Sequence, residues 1–252
     1  MRLLLDESIP CLDLIASDEA SLLAVERGEA PMTWRVAVPA DEALVLGTAG
    51  RFAVEIDLDR ARELGVEVLR RPSGGGAVWL WPGCLTWSCA VRYEDAPEAG
   101  SIRGAYAFAL GRVSAALASL DIPARVEEND LAARGRRLGG SAQRRLRRAC
   151  LVHGTVIVEL DAGRLARMGE LLAEPAAAGV KAPAYRAGRS HAAFLTGARE
   201  AGCPLSPREL AARLGRALVP GAGPGEPSGA EREEAGRLAR ERFGAASWRL
   251  RR

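Results

Sequence analysis

Lysine is almost missing from this sequence: of its 35 basic residues, 34 are arginine and only Lys181 is not. Chemistry that needs an amine side chain therefore has one candidate. Histidine is nearly as scarce, with His153 and His191 alone, and no Ser-His-Asp arrangement is read from their spacing. The five cysteines, at 11, 84, 89, 150 and 203, show neither CxxC nor metal-type spacing, which argues against a disulfide framework and a zinc site. They are expected as small buried hydrophobes. No paired-carboxylate signature stands out. No apolar run approaches the roughly 18 residues of a membrane span, and the N-terminus lacks a signal-peptide layout, so the chain is read as cytoplasmic with no membrane partner. A formal net charge of +3 gives no global pull toward nucleic acid. The basic run Arg144 to Arg148 is expected as a solvated face.

What is present is enough for one large folded domain: 252 residues, 48% hydrophobic and 27% charged. Helical spacing of apolar residues marks Asp18 to Val25, Asp57 to Leu64 with Gly65 as its cap, and Ile102 to Leu120. Acidic residues at 18 and 19 suit the first turn of the first of these. Strands are expected at Trp34 to Val38, Ala43 to Leu46, Gly65 to Leu69, Ala77 to Trp81, Leu85 to Val91 and Leu151 to Leu160. Strands and helices mix without regular alternation, which predicts an α+β fold, a mixed β-sheet with helices on one side. Residues 175–188, rich in Ala, Gly and Pro, are expected as a loop. The domain reading is a catalytic domain over 1–219, a Pro/Gly-rich linker over 220–229 and a C-terminal helical extension over 230–252.

Two glycine clusters, each preceded by paired arginines, carry the chemistry. Arg70-Arg71-Pro72-Ser73-Gly74-Gly75-Gly76 sits between two expected strands, where glycines can turn N–H groups toward an anion or lie flat on an acyl chain. Arg136-Arg137-Leu138-Gly139-Gly140-Ser141-Ala142 is read as a second glycine-containing turn. Neither fits a dinucleotide or P-loop template. His153-Gly154-Thr155 places a glycine inside a strand, which weakens packing unless something approaches the backbone closely.

Read in order, Arg70-Arg71-x-Ser73-Gly74-Gly75-Gly76-x-Val78, Pro82-Gly83-x-Leu85-x-Trp87-Ser88, Asn129-Asp130-Leu131, Gly135-Arg136-Arg137-Leu138-x-Gly140-Ser141-Ala142-Gln143 and His153-Gly154-Thr155 resemble the lipoate-protein ligases over residues 15–200. The resemblance implies a class II aminoacyl-tRNA synthetase and biotin-protein-ligase-like core. It implies ATP and Mg²⁺, lipoate or octanoate as substrate, and an acyl-adenylate passed to a lysine of a lipoyl-carrier domain. It implies Arg137 and Lys181 as catalytic residues. Substrate contacts would come from Arg70, Ser73, Gly74, Gly75, Gly76, Asn129, Asp130, Gly140, Ser141, Ala142, His153, Gly154 and Thr155, with Asp130 also a metal ligand.

This chain departs from the ligase pattern at Arg137, where the family has a lysine; the charge survives but a planar fork replaces a compact ammonium. Lys181 is the candidate for the missing amine. The segment Tyr185-Arg186-x-x-Arg189-Ser190-His191 resembles a smaller ligase-like branch. Many ligases carry a C-terminal accessory domain, and with only 32 residues after Pro220 the expectation is either that a separate small subunit supplies it or that this branch does without it. Octanoyltransferases of the same superfamily hold the acyl group on a cysteine. One branch places it after a proline where this chain has Glu174-Pro175-Ala176, which leaves Cys84 and Cys150 as candidates. Three readings therefore stand open: ATP-dependent ligase, cysteine acyltransferase, and a catalytically impaired protein that only binds lipoate or its adenylate.

Overall fold

The computed structural model describes residues 1–179 and 182–251. The chain begins β1 (Arg2–Ile9), α1 (Cys11–Arg27), β2 (Thr33–Pro39), β3 (Ala43–Leu46), α2 (Phe52–Glu55) and α3 (Leu58–Glu63). It continues through β4 (Glu67–Arg70), β5 (Val78–Leu80), β6 (Cys84–Arg92) and α4 (Ile102–Ala118). An antiparallel meander follows: β7 (Ala124–Glu127), β8 (Asp130–Ala133), β9 (Arg136–Arg145) and β10 (Ala149–Ile157). Then come α5 (Ala162–Leu171), α6 (Pro175–Ala178), α7 (His191–Phe194), α8 (Pro207–Leu218), β11 (Pro224–Gly225), α9 (Gly229–Leu238) and α10 (Ala246–Arg249).

Eight strands form one mixed sheet in the order β11-β1-β2-β6-β10-β9-β8-β7, and β4-β3-β5 form a small second sheet. The period of two along β2 and β6 divides the large sheet into two faces. Trp34 and Val36, with Leu85 and Trp87, face a core that includes Val113 and Leu117 of α4 and Leu210 and Leu214 of α8. Ala37 and Cys84 face the other way, into a core shared with Leu14 of α1, Leu44 and Trp79 of the small sheet and Phe243 beyond α9. The mixed α+β sheet is as expected, but helices cover both faces and not one. A cavity lined by Leu14, Ile15 and Asp18 lies on the α1 face.

Several elements escape local pattern. Helix α1 starts at Cys11, seven residues before the expected position, because Asp41 Oδ1 accepts the Cys11 N–H at 2.8 Å from another part of the chain. Asp18 is thus in mid-helix and buried, and does not serve a first turn. Residues 139–142 are not a turn at all; they lie inside β9. Helix α8 is announced by Ser206-Pro207-Arg208-Glu209, a capping box with proline at the first turn. Within the expected 220–229 linker, Pro224 and Gly225 pair with Leu3 and Leu4 as an edge strand. The last helices dock on the body: Leu238, Ala239 and Phe243 are buried in the second core.

Candidate active site

Consecutive residues at the end of a strand point to opposite sides, so Arg70 and Arg71 cannot both face one cavity. Arg71 faces it. Its Nη2 donates to the carbonyls of Gly74 (2.6 Å) and Gly76 (2.9 Å), its Nη1 to Val45 O (2.9 Å), and its Nε to Ser73 Oγ (3.0 Å). Burial pushes this guanidinium down to about 10. The bend it holds is no hairpin, since β3 lies between β4 and β5. Gly75 sits there at φ +87°, a conformation that glycine adopts without strain. Arg70 corrects the expectation of a ligand contact. Its guanidinium points away, to the carbonyls of Gly47, Gly50, Arg249 and Arg251, and stacks on Phe52.

The second arginine pair works differently. In the β8–β9 ladder Asp130 opposes Gly140 and Leu131 opposes Gly139, but Ala132 opposes Arg137, so Leu138 is an extra, bulged residue. Residues 137 and 140 would otherwise alternate to opposite faces; the bulge puts both on the face of Asp130. The Arg137 fork lies over Gly140, where an added Cβ would meet Nη2 at 2.2 Å. Arg137 Nη2 donates to Asp130 Oδ1 at 2.8 Å, and Tyr185 Oη donates to Asp130 Oδ2 at 3.0 Å. Burial raises the Asp130 carboxyl while Arg137 opposes the shift, and burial with the adjacent Asp130 raises the Tyr185 phenol. Arg137 Nε is buried and has no hydrogen-bond partner among the described residues.

Between the two arginine clusters lies a cavity of about 440 Å³. Its lining is apolar along Leu14, Ile15, Val45, Leu80, Ile157 and Met168, and polar at Arg71, Asp130, Arg137, His153 and Arg186. That is the make-up of a site for a ligand with an apolar body and an anionic end. A segment leading into α7 closes one side, where the Glu174 carboxylate receives Arg186 Nη2 at 2.5 Å and the His191 N–H at 2.9 Å. Burial holds the His191 ring below its ordinary value.

The structure assembles what spacing did not show: Ser73 Oγ is 2.7 Å from His153 Nε2, and His153 Nδ1 is 3.3 Å from Asp18 Oδ2. Asp18 lines the cavity and carried no functional expectation. A signal existed, since Asp18 is four residues from both Leu14 and Leu22 and so lies on the buried stripe of α1, where a charge is out of place. Ser73 is only 1% exposed and does not line the cavity.

Of the expected contacts, the cavity gathers Gly75, Gly76, Asn129, Asp130, Arg137, Gly140, Ser141, Ala142, His153, Gly154 and Thr155. It leaves out Arg70, Ser73 and Gly74. Lys181 lies outside the described residues. Gly154 has the close neighbour its position requires: an added Cβ would sit 2.7 Å from the Trp87 ring and 2.6 Å from Gly140 O. Asp130 is a weak fit as a metal ligand, because the Arg137 guanidinium is already seated on one of its oxygens and the Tyr185 hydroxyl on the other. No cluster of three or more His, Cys, Asp or Glu side chains suited to a metal occurs among the described residues. All five cysteines are buried. Cys84 lines the cavity, but burial pushes its thiol up to about 12 and it donates to Trp81 O at 3.0 Å. Cys150, pushed up to about 11 by burial, does not line it. No described helix is long and apolar enough to cross a membrane.

Comparison with known proteins agrees with this geometry. Residues 11–218 match the family of the lipoyl protein ligase A/B catalytic domain. The octanoyltransferase LipM of Symbiobacterium thermophilum is 30% identical over 264 residues, covering 94% of this chain and 93% of that protein. The bi-partite lipoate protein ligase of Thermoplasma acidophilum superposes with a TM-score of 0.79 at 21% identity, over 99% of this chain and 95% of that one. A lipoate-protein ligase A bound with ATP gives 0.77 at 19% identity, over 99% of both chains. At these identities the two structures establish the fold: a lipoate-ligase-like, class II synthetase-like mixed sheet with flanking helices.

Proposed function

Since this chain belongs to the lipoyl protein ligase A/B catalytic domain family, we propose that it activates lipoate or octanoate with ATP and passes the acyl group to a lysine of a lipoyl-carrier domain. The observation that carries this reading is the Arg137 fork at the polar end of an apolar cavity, with one buried N–H left for a ligand. In the first step the acyl carboxylate attacks the α-phosphorus of ATP, and pyrophosphate leaves. Charge gathers where two anions meet, and a fixed arginine in a water-poor site stabilises it without having to reorganise. Asp130, itself held by the Tyr185 hydroxyl, keeps that arginine in place. In the second step a neutral lysine amine attacks the mixed-anhydride carbonyl, AMP leaves, and an amide remains. Glycines 75 and 76 would lie against the carboxyl end of the acyl group. No step is assigned to a metal held by the protein.

Lys181 is proposed as a second cation, and Lys181→Ala should slow adenylate formation by roughly tenfold or more; an unchanged rate removes it from the mechanism. The acceptor is taken to be a lysine of a lipoyl domain. A separate small subunit is the first addition to try if the chain alone is inactive. Residues 1–219 are proposed as the catalytic unit, with 230–252 as its buttress.

A second reading, acyl transfer through a cysteine thioester, is favoured by the similarity to an octanoyltransferase and by the position of Cys84 in the cavity wall. Against it stands the buried thiol, since the thiolate is the nucleophile. Trapping the product by mass spectrometry separates the two. Lipoyl- or octanoyl-AMP after incubation with ATP supports the ligase; an octanoyl adduct on Cys84 from octanoyl-carrier protein, with no adenylate, supports the transferase.

A further inference from the structure

Five side chains from four parts of the sequence form one hydrogen-bonded line beneath the glycine bend. Asp18 Oδ1 accepts from Ser88 Oγ at 2.7 Å and lies 3.5 Å from Arg35 Nε, while Oδ2 faces His153 Nδ1 at 3.3 Å. Across the ring, His153 Nε2 meets Ser73 Oγ at 2.7 Å, and that oxygen also accepts from Arg71 Nε at 3.0 Å. Arg71 then holds the carbonyls of Gly74 and Gly76.

With a neutral His153 ring, the protons in this line have one self-consistent arrangement. An ionised Asp18 can only accept, so Nδ1 of a neutral His153 carries the ring proton. Nε2 is then a lone pair and takes the Ser73 hydroxyl proton, which leaves the Ser73 oxygen free to accept from Arg71. With the opposite tautomer, Ser73 would face two donors, its own proton would lose its acceptor, and Asp18 would face a bare nitrogen. Ser73 is too buried to attack a substrate, so the line serves geometry. The Gly74 carbonyl turned to Arg71 directs the N–H of Gly75, on the opposite side of the same planar peptide, away from the guanidinium. That N–H finds no backbone acceptor among the described residues.

We propose that Asp18 is a positioning residue: by fixing the Nδ1–H tautomer of His153 it locks Ser73 and Arg71, and through them holds the bend with the Gly75 N–H free for the ligand's anionic end. Which anion is held rests on the ligase reading; the tautomer does not.

The scarcity of histidine makes the test direct. The ¹⁵N spectrum of histidine-labelled protein contains two rings, and His191→Gln assigns them. At pH 7.5, His153 is expected with a protonated Nδ1 and a bare Nε2; an Nε2–H tautomer or an imidazolium overturns the proposal. In Asp18→Asn the amide can donate to Nδ1, so the tautomer should reverse. The kcat for pyrophosphate release should then fall about 10- to 100-fold, with little change in KM for ATP. A reversed tautomer with unchanged kcat overturns it. If Asp18→Asn does not fold, Ser73→Ala serves: the same kcat loss is expected with His153 still protonated on Nδ1, and unchanged turnover is contrary. If the wild-type chain releases no pyrophosphate, so that the ligase reading itself fails, calorimetric binding of lipoate replaces kcat. Affinity about tenfold weaker in Asp18→Asn is then expected, and equal affinity overturns the proposal.

Discussion

The two arginine-glycine segments look alike in sequence and do opposite work. In Arg71-Pro72-Ser73-Gly74-Gly75-Gly76 the inward arginine is spent: its three nitrogens are bound to main-chain carbonyls and Ser73. In Arg137-Leu138-Gly139-Gly140 the inward arginine keeps an unpartnered Nε while Asp130 holds one corner of its fork. The first segment is a true bend; the second is a bulged strand. The outer arginine of each pair is structural, Arg70 gripping the tail and Arg136 donating to Ala192 O. An arginine whose three nitrogens are all held by the protein shapes a site, whereas one with a nitrogen left over is placed to act in it.

The contrast is broken most sharply by replacing each inward arginine with methionine. Arg137→Met should cut pyrophosphate release by about 100-fold or more, at a smaller stability cost than Arg71→Met, since Tyr185 still donates to the Asp130 carboxylate. Arg71→Met should cost about 3 kcal/mol in urea unfolding, because the buried Val45 carbonyl and the half-buried Gly74 and Gly76 carbonyls lose their donor. Equal stability losses in the two variants would dissolve the distinction.

Gly140→Ala probes the second segment without touching charge. Its Cβ must displace the Arg137 fork, so turnover should fall roughly tenfold or more while the melting temperature moves little. Arg137→Lys sharpens the same point: a compact ammonium can still meet an anion but loses the fork held by Asp130, so activity within about tenfold of the parent is expected. The smallest effect is at the closing segment. Burial lowers the His191 pKa below 6.5, so the folded protein binds that proton less well than the unfolded chain. That share of stability is whole above about pH 6.5 and is lost as pH falls below it. His191→Gln should therefore flatten the acid limb of a melting-temperature profile measured between about pH 7 and pH 5.

The motifs carried the family, the mixed sheet and most of the cavity wall, because glycines needed for close approach and arginines needed for charge are visible one by one. What local pattern could not show depends on partners distant in sequence. Asp18 reads as a helix-dipole residue until Asp41 is seen to start α1 at Cys11. Gly139-Gly140 reads as a turn until the pairing with β8 makes it strand. Ser73, His153 and Asp18 are brought together by three separate elements, and no spacing rule predicts their meeting. The choice between Arg70 and Arg71, by contrast, was open to strand parity alone.

The central claim is that the cavity joins an acyl acid to ATP, and pyrophosphate release from ATP tests it most directly, with lipoate, octanoate and biotin supplied in parallel. Release that depends on lipoate or octanoate, and disappears in Arg137→Met, is the predicted result. No release with any of the three acids, together with an octanoyl group carried on Cys84, would contradict it.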